Sequence, residues 1–137
     1  PERPVEAGPA DPELLARMDF EASGMARAAL LDRIAREGRT LRTEGGFALL
    51  RAFGRGHVLG PVVARDPGAA RALMAAGASH LAGRFLRMDL PEAEGHAPFA
   101  ETLGLRAAGG GTAMVRAARP RAPSPYQTYA LISQALG

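Results

Sequence analysis

Arg65, Asp66, Pro67, Gly68, Ala69 and Ala70 stand where an apolar run, residues 58–64, gives way to an Ala-rich segment. A strand feeding a small-residue turn and then a helix start points several backbone N–H groups at one spot. The positive end of the helix dipole faces that spot too, which suits a phosphate or diphosphate. Arg65 adds a fixed charge at the rim. Such chemistry points to a nucleotide-type cofactor, not to a metal ion or a nucleic acid. The same residues contain a competitor. Asp66-Pro67 is an ordinary helix-capping pair, and the Asp66 carboxylate can take the very N–H groups a diphosphate needs. It also repels phosphate.

Few other side chains have chemistry to offer. His57 opens the apolar run, and an imidazole can accept a proton near neutral pH; following Gly54-Arg55-Gly56, it serves equally as a strand cap. Asp89 ends a later apolar run, where it either orients a substrate amine or caps the strand. His80 and His96 read as bystanders, Met74 and Met88 as core fillers, and Arg27, Arg87 and Arg116 as structural ion-pair partners.

The elements that must position these residues follow from punctuation and periodicity. Residues 1–10, rich in Pro, Ala and Gly, read as a leader or linker with a short strand over 3–6. Asp11-Pro12 starts a helix that runs to about Met18. A second helix fits 23–37, with Leu30, Leu31 and Ile34 on one face and Gly38 closing it. Residues 40–43 and 47–53 form a hairpin around Glu44-Gly45-Gly46, and Gly54-Arg55-Gly56 turns into a strand over 58–64. A helix over 67–81 stops at Gly83, a strand over 85–90 is broken by Pro91, and a helix over 96–103 stops at Gly104. Gly109-Gly110-Gly111 is a turn into a strand over 112–117; Pro120, Pro123 and Pro125 stiffen a connector to a last strand over 126–132.

Arg65-x-x-Gly68-x-Ala70 matches the Q/R-x-x-G-x-G/A signature of the GNAT acyl-CoA N-acetyltransferases. The run from Gly54 to Ala64 resembles the corresponding strand of a bacterial GNAT-like domain found as the second half of tandem proteins. Phe85 to Pro91, Leu103-Gly104-Leu105, Met114-Val115-Arg116 and Ser133 to Gly137 are similar to its later landmarks, so the resemblance covers roughly residues 19–137. It implies an α/β GNAT fold, a mixed and mostly antiparallel sheet with helices on both faces and a splayed strand pair at the cofactor cleft. Residues 11–137 would then be a single domain. It also implies that the turn wraps the diphosphate of acetyl-CoA, held by Arg65 and the amides of Gly68, Ala69, Ala70 and Arg71. Free backbone groups of Gly60, Val62 and Val63 would pair with the pantetheine arm, and Pro61 has no N–H to give. His57 falls where many members place a catalytic Glu, so it is the expected base. The Tyr that many members use as general acid is matched by Ala100, leaving Tyr126 or Tyr129 as substitutes. Asp89 lies beside the expected cleft. The implied reaction is direct acetyl transfer from acetyl-CoA to a small amine or peptide amino group. The alternative is a catalytically degenerate module that serves a GNAT domain, another or a second copy of itself, as partner, interface or lid.

Composition narrows the classes. The chain has 137 residues, of which 47% are apolar and 23% charged, as in an ordinary globular domain. No apolar run approaches the roughly 20 residues of a membrane span, and no signal peptide opens the sequence, so a cytoplasmic setting is expected. The absence of Cys removes thiolate nucleophiles and Cys-based metal sites, and three scattered His make no ligand cluster, so no metal is expected. All 17 basic residues are Arg and the net charge is +3; Arg106, Arg116, Arg119 and Arg121 follow the last acid, Glu101, a bias that suits the polyanion CoA. Aromatic residues are only 5% and do not interleave the arginines, which argues against nucleic acid.

Overall fold

Apolar residues alternate through 39–64 so that a sheet built from them has two buried faces. β2 (Arg39–Thr43) turns at Glu44 and Gly45 into β3 (Gly46–Phe53), which pairs antiparallel along β4 (Gly56–Ala64). Gly45 has φ +81, the left-handed conformation this tight turn requires. The structure, a computed structural model, describes residues 3–53, 56–82, 84–90, 97–105 and 126–130. Within them an edge strand, β1 (Glu6–Ala7), pairs antiparallel with β2, and β5 (Leu86–Arg87) pairs parallel with β4. β6 (Gln127–Ala130) pairs antiparallel with the far end of β4. The result is a six-stranded, mostly antiparallel sheet in the order β1-β2-β3-β4-β5, with β6 beside β4. α1 (Pro12–Ser23), α2 (Ala28–Glu37), α3 (Pro67–His80) and α4 (Ala97–Thr102) complete the α/β arrangement. Among the described residues no helix is long and apolar enough to cross a membrane.

The helices lie on both faces. Leu41, Ala48, Leu50, Leu59, Val62 and Ala64 meet Ala69, Ala70, Leu73 and Met74 of α3. Phe47, Leu49 and Val63 meet Leu15 and Met18 of α1 and Leu31 and Ile34 of α2. Each fully buried Leu here contributes about 2 kcal/mol by leaving water. β4 carries one extra residue against β3, since Leu50 opposes Leu59 whereas Ala48 opposes Val62. That bulge reverses the alternation, so Leu59 and Val62 both face α3 despite an odd spacing.

Four boundaries correct the sequence reading, the first being the edge strand, expected over 3–6 and found at Glu6–Ala7. α1 continues past Met18 to Ser23, because Leu15, Met18 and Ala22 form one buried stripe. α2 begins at Ala28 and not at Ser23, because Gly24 at φ 73 ends α1 in the left-handed conformation. β5 is confined to Leu86–Arg87 within the expected 85–90, where it pairs only with His57 and Val58. Beyond them only Asp89 returns to a single-residue bridge. The Gly54-Arg55 turn, the stop at Gly83, the break at Pro91, His96, the strand over 112–117 with its Gly turn, the Pro-rich connector, the arginines from Arg106 onward and the chain beyond Ala130 lie outside the described residues.

Candidate functional site

β4 ends at Ala64 and passes through Arg65 and Asp66 into α3. Ala64, Ala69 and Ala70 are fully buried, and these small side chains let the strand end and the first helical turn pack together. The Arg65 N–H donates to the Gly45 carbonyl at 2.7 Å, tying the turn to the β2–β3 hairpin. Arg65 is exposed, and its Nε passes 3.4 Å from where a Cβ on Gly45 would stand. Arg71 is exposed further along α3.

Asp66 is the N-cap. Its Oδ1 accepts from the Ala69 N–H at 2.9 Å, and its carbonyl accepts from the Ala70 N–H at 3.2 Å. Pro67 fills the first helical position without an N–H to satisfy. Arg3 Nη1 lies 2.9 Å from Asp66 Oδ1. Gly68 leaves room for this contact, since an added Cβ would sit 3.2 Å from Asp66 Oδ1 and 3.4 Å from Arg3 Nη2. The expected anion position and the cap therefore use the same atoms: a cation and the Ala69 N–H converge on one spot, and the Asp66 carboxylate fills it.

The Ala69 N–H, and after it Arg3, hold the Asp66 carboxyl below its ordinary value. With the folded pKa below the unfolded one, the cap's contribution is complete above the unfolded value and is lost as pH falls through the folded one. Asp66→Ala is expected to cost about 1 kcal/mol in urea denaturation at neutral pH. The gap from wild type should narrow below about pH 4. A gap that stays constant into strong acid would show that the carboxylate charge contributes nothing.

His57 sits at the other end of β4, opposite Ala52 on β3 and Leu86 on β5. It shares a face with Leu59 and so lies on the α3 side of the sheet. Its main-chain N–H donates to the Phe85 carbonyl at 3.1 Å, and its Nδ1 is buried with no hydrogen-bond partner among the described residues. Val58, Arg51 and Arg87 align across the strands on the opposite face. There Arg87 Nε donates to Asp89 Oδ1 at 3.0 Å, and the Asp89 side chain is only 7% exposed. Burial lowers the pKa of the Arg51 guanidinium, while the charges of Asp89 and Glu37 oppose that shift. Asp89, expected to orient an amine, is paired here with Arg87.

A family model described as the acetyltransferase (GNAT) domain matches residues 15–130. The chain belongs to the GNAT acetyltransferase family. No curated protein and no solved structure matches it.

In this GNAT domain part of the β4 edge expected to face pantetheine is paired with other strands. β4 and β5 are parallel and pair at His57 and Val58 only. Farther along the same edge Val62 lies opposite Ala130 and Val63 opposite Thr128, so β6 fills the place where free backbone groups were expected. Tyr129 and Ala130 are 3% and 0% exposed, which makes β6 part of the core. Of the three expected pantetheine contacts, only Gly60 stands between the two paired stretches. Tyr126 packs on the α1/α2 face just before β6, whereas His57 is on the α3 face near the start of β4. At ~3.3 Å per residue the two are roughly 20 Å apart along the strand, so the structure does not bring them together as base and acid. Ala100 is buried in the core of the α3 face.

Two residues escaped the sequence reading. Arg3 gave no signal within a Pro-rich leader. Asp19 did give one, because it lies on the apolar stripe of α1, where a lone acid demands a buried cation. Its partner is Arg27.

Proposed function

We propose that this GNAT domain transfers the acetyl group of acetyl-CoA to the nitrogen of a small amine or a peptide amino group. The observation that carries the reading is the path from β4 through Arg65 to the first turn of α3, in a chain that the family model matches. Arg65 and the N–H groups of Gly68 and Ala69 would hold the diphosphate, once Asp66 gives up Ala69. Gly60 would lie against the pantetheine arm. In the reaction the amine nitrogen bonds to the thioester carbon, the C–S bond breaks, and the proton from nitrogen passes to a base. His57 is that base in this reading, supported by its buried Nδ1, which no donor among the described residues engages. CoA departs as a thiolate, which tolerates the lack of a dedicated acid.

Calorimetry with acetyl-CoA tests the reading. Wild type should bind at micromolar concentration. A hydrogen bond to a charged group is worth about 1.5–3 kcal/mol, so Arg65→Ala should weaken binding by about tenfold or more. A second reading, a partner or lid module for a catalytic GNAT domain, is favoured by β6 on the pantetheine edge and by the hold of Asp66 on Ala69. Absence of heat at millimolar acetyl-CoA would leave only that second reading.

A further inference from the structure

We propose that the arm before α1 regulates this site: Arg3 clamps Asp66 into the anion position as a built-in substitute for phosphate, and an incoming diphosphate must exchange with it. The inference rests on the reading of this turn as the diphosphate site.

The arm is anchored well enough to place Arg3. Thr43 Oγ1 donates to the Pro4 carbonyl at 2.8 Å, and the Gly8 N–H donates to the Thr40 carbonyl at 3.0 Å. Between them Glu6 and Ala7 pair with Arg42 and Leu41, and Val5 packs against the core on the α3 face. Glu6 and Arg42 add an ion pair at 3.5 Å. Thus fixed from Pro4 to Gly8, the chain delivers the Arg3 guanidinium to the start of α3. There it contacts Asp66 Oδ1 at 2.9 Å and the Glu44 carbonyl at 3.5 Å.

The two donors on that carboxylate are a guanidinium and a helix first-turn N–H. They are also the two donor types that bind a phosphate oxygen. Asp66 therefore mimics one anionic ligand oxygen, and its carboxylate cannot remain while phosphate occupies the spot. Release is easy, because Arg3 and Asp66 are 38% and 35% exposed and such a solvated pair is weak. Rotation of the Asp66 side chain frees the Ala69 N–H and Arg3 together. Both then face the diphosphate beside Arg65, so the cation that held the site closed becomes one that holds the ligand.

Acetyl-CoA affinity measured by calorimetry in wild type, Asp66→Ala, Arg3→Ala and the double variant tests this exchange. Asp66→Ala should bind about tenfold tighter, because it unmasks two donors at once. In the Arg3→Ala background the same change should gain only about threefold, since the N–H alone is freed. Asp66→Asn keeps a capping side chain while dropping the charge, so it covers a failure of the alanine variant to fold. It should also bind more tightly than wild type, and do so only when Arg3 is present. Equal gains with and without Arg3, or no gain from either Asp66 variant in a chain that binds acetyl-CoA, would overturn the clamp and leave the diphosphate site standing. No binding by any variant would overturn both.

Discussion

Arg27→Ala should lose about 3–5 kcal/mol of stability, roughly a fifth or more of what a domain of this size has to lose. The pair it breaks is a fork. Arg27 Nε donates to Asp19 Oδ2 at 2.8 Å and Nη2 donates to Oδ1 at 2.9 Å, with side-chain exposures of 8% and 1%. Two charges so deeply buried are costly to desolvate, and their mutual attraction offsets that cost only while both are present. Removing the arginine leaves the Asp19 carboxylate buried without this counter-ion. Arg27→Lys should rescue little, because a point charge cannot reproduce the paired N–H geometry. Replacing both by apolar residues, Asp19→Leu with Arg27→Met, should recover most of the loss, since no uncompensated charge remains. Urea denaturation at neutral pH reads all three variants. A loss below about 1 kcal/mol for Arg27→Ala would mean that Asp19 finds water or another cation when its partner is gone.

The same pair explains where sequence reading succeeds and where it stops. Ser23 looks like a helix start because Ser is a favoured cap, and its Oγ does accept from the Met25 N–H at 3.1 Å. That bond serves the connection between α1 and α2, whose shape is set by Gly24 and by an arginine reaching back eight positions. Local propensity carries no information about such a reach. β2, β3, β4 and α3 were legible because alternation, glycine turns and the Asp66-Pro67 cap agree with one another. The register shift inside β4 was not legible, because Gly60-Pro61 reads as part of an unbroken apolar run. Yet that shift decides which residues of β4 face α3, and with it what an open edge could offer a ligand.

For the site, the turn was readable and its occupancy was not. Backbone donors at a helix start are implied by the order of strand, small residues and helix. What occupies them here is the Asp66 carboxylate, held by Arg3 more than sixty positions away, and the pairing of β6 along β4 is equally non-local. Asp89 is a similar case. Its ionic environment is assembled by β3 and β5, and only cross-strand alignment puts Arg51 and Arg87 on one face with it. Non-local pairing of this kind separates a list of chemically capable residues from a site.

His57→Gln should lower kcat by about 100-fold or more while leaving acetyl-CoA affinity within about twofold, as expected when a proton acceptor is lost and the ligand contacts are not. Glutamine approximates the polarity and reach of the ring but cannot take up a proton. His57 lies at the start of β4, far from the turn at Arg65, so its replacement leaves the proposed diphosphate donors in place. Among the described residues its Nδ1 has no hydrogen-bond partner, so a proton leaving the attacking amine would meet an unengaged ring nitrogen. Urea denaturation gives the second readout, and the variant should keep close to wild-type stability. A residue that merely packs the start of β4 against β5 would behave otherwise: stability would drop and the folded fraction would keep its kcat. That outcome would remove His57 from the chemistry and leave β4 with a structural role at this end and a ligand-binding role at the other.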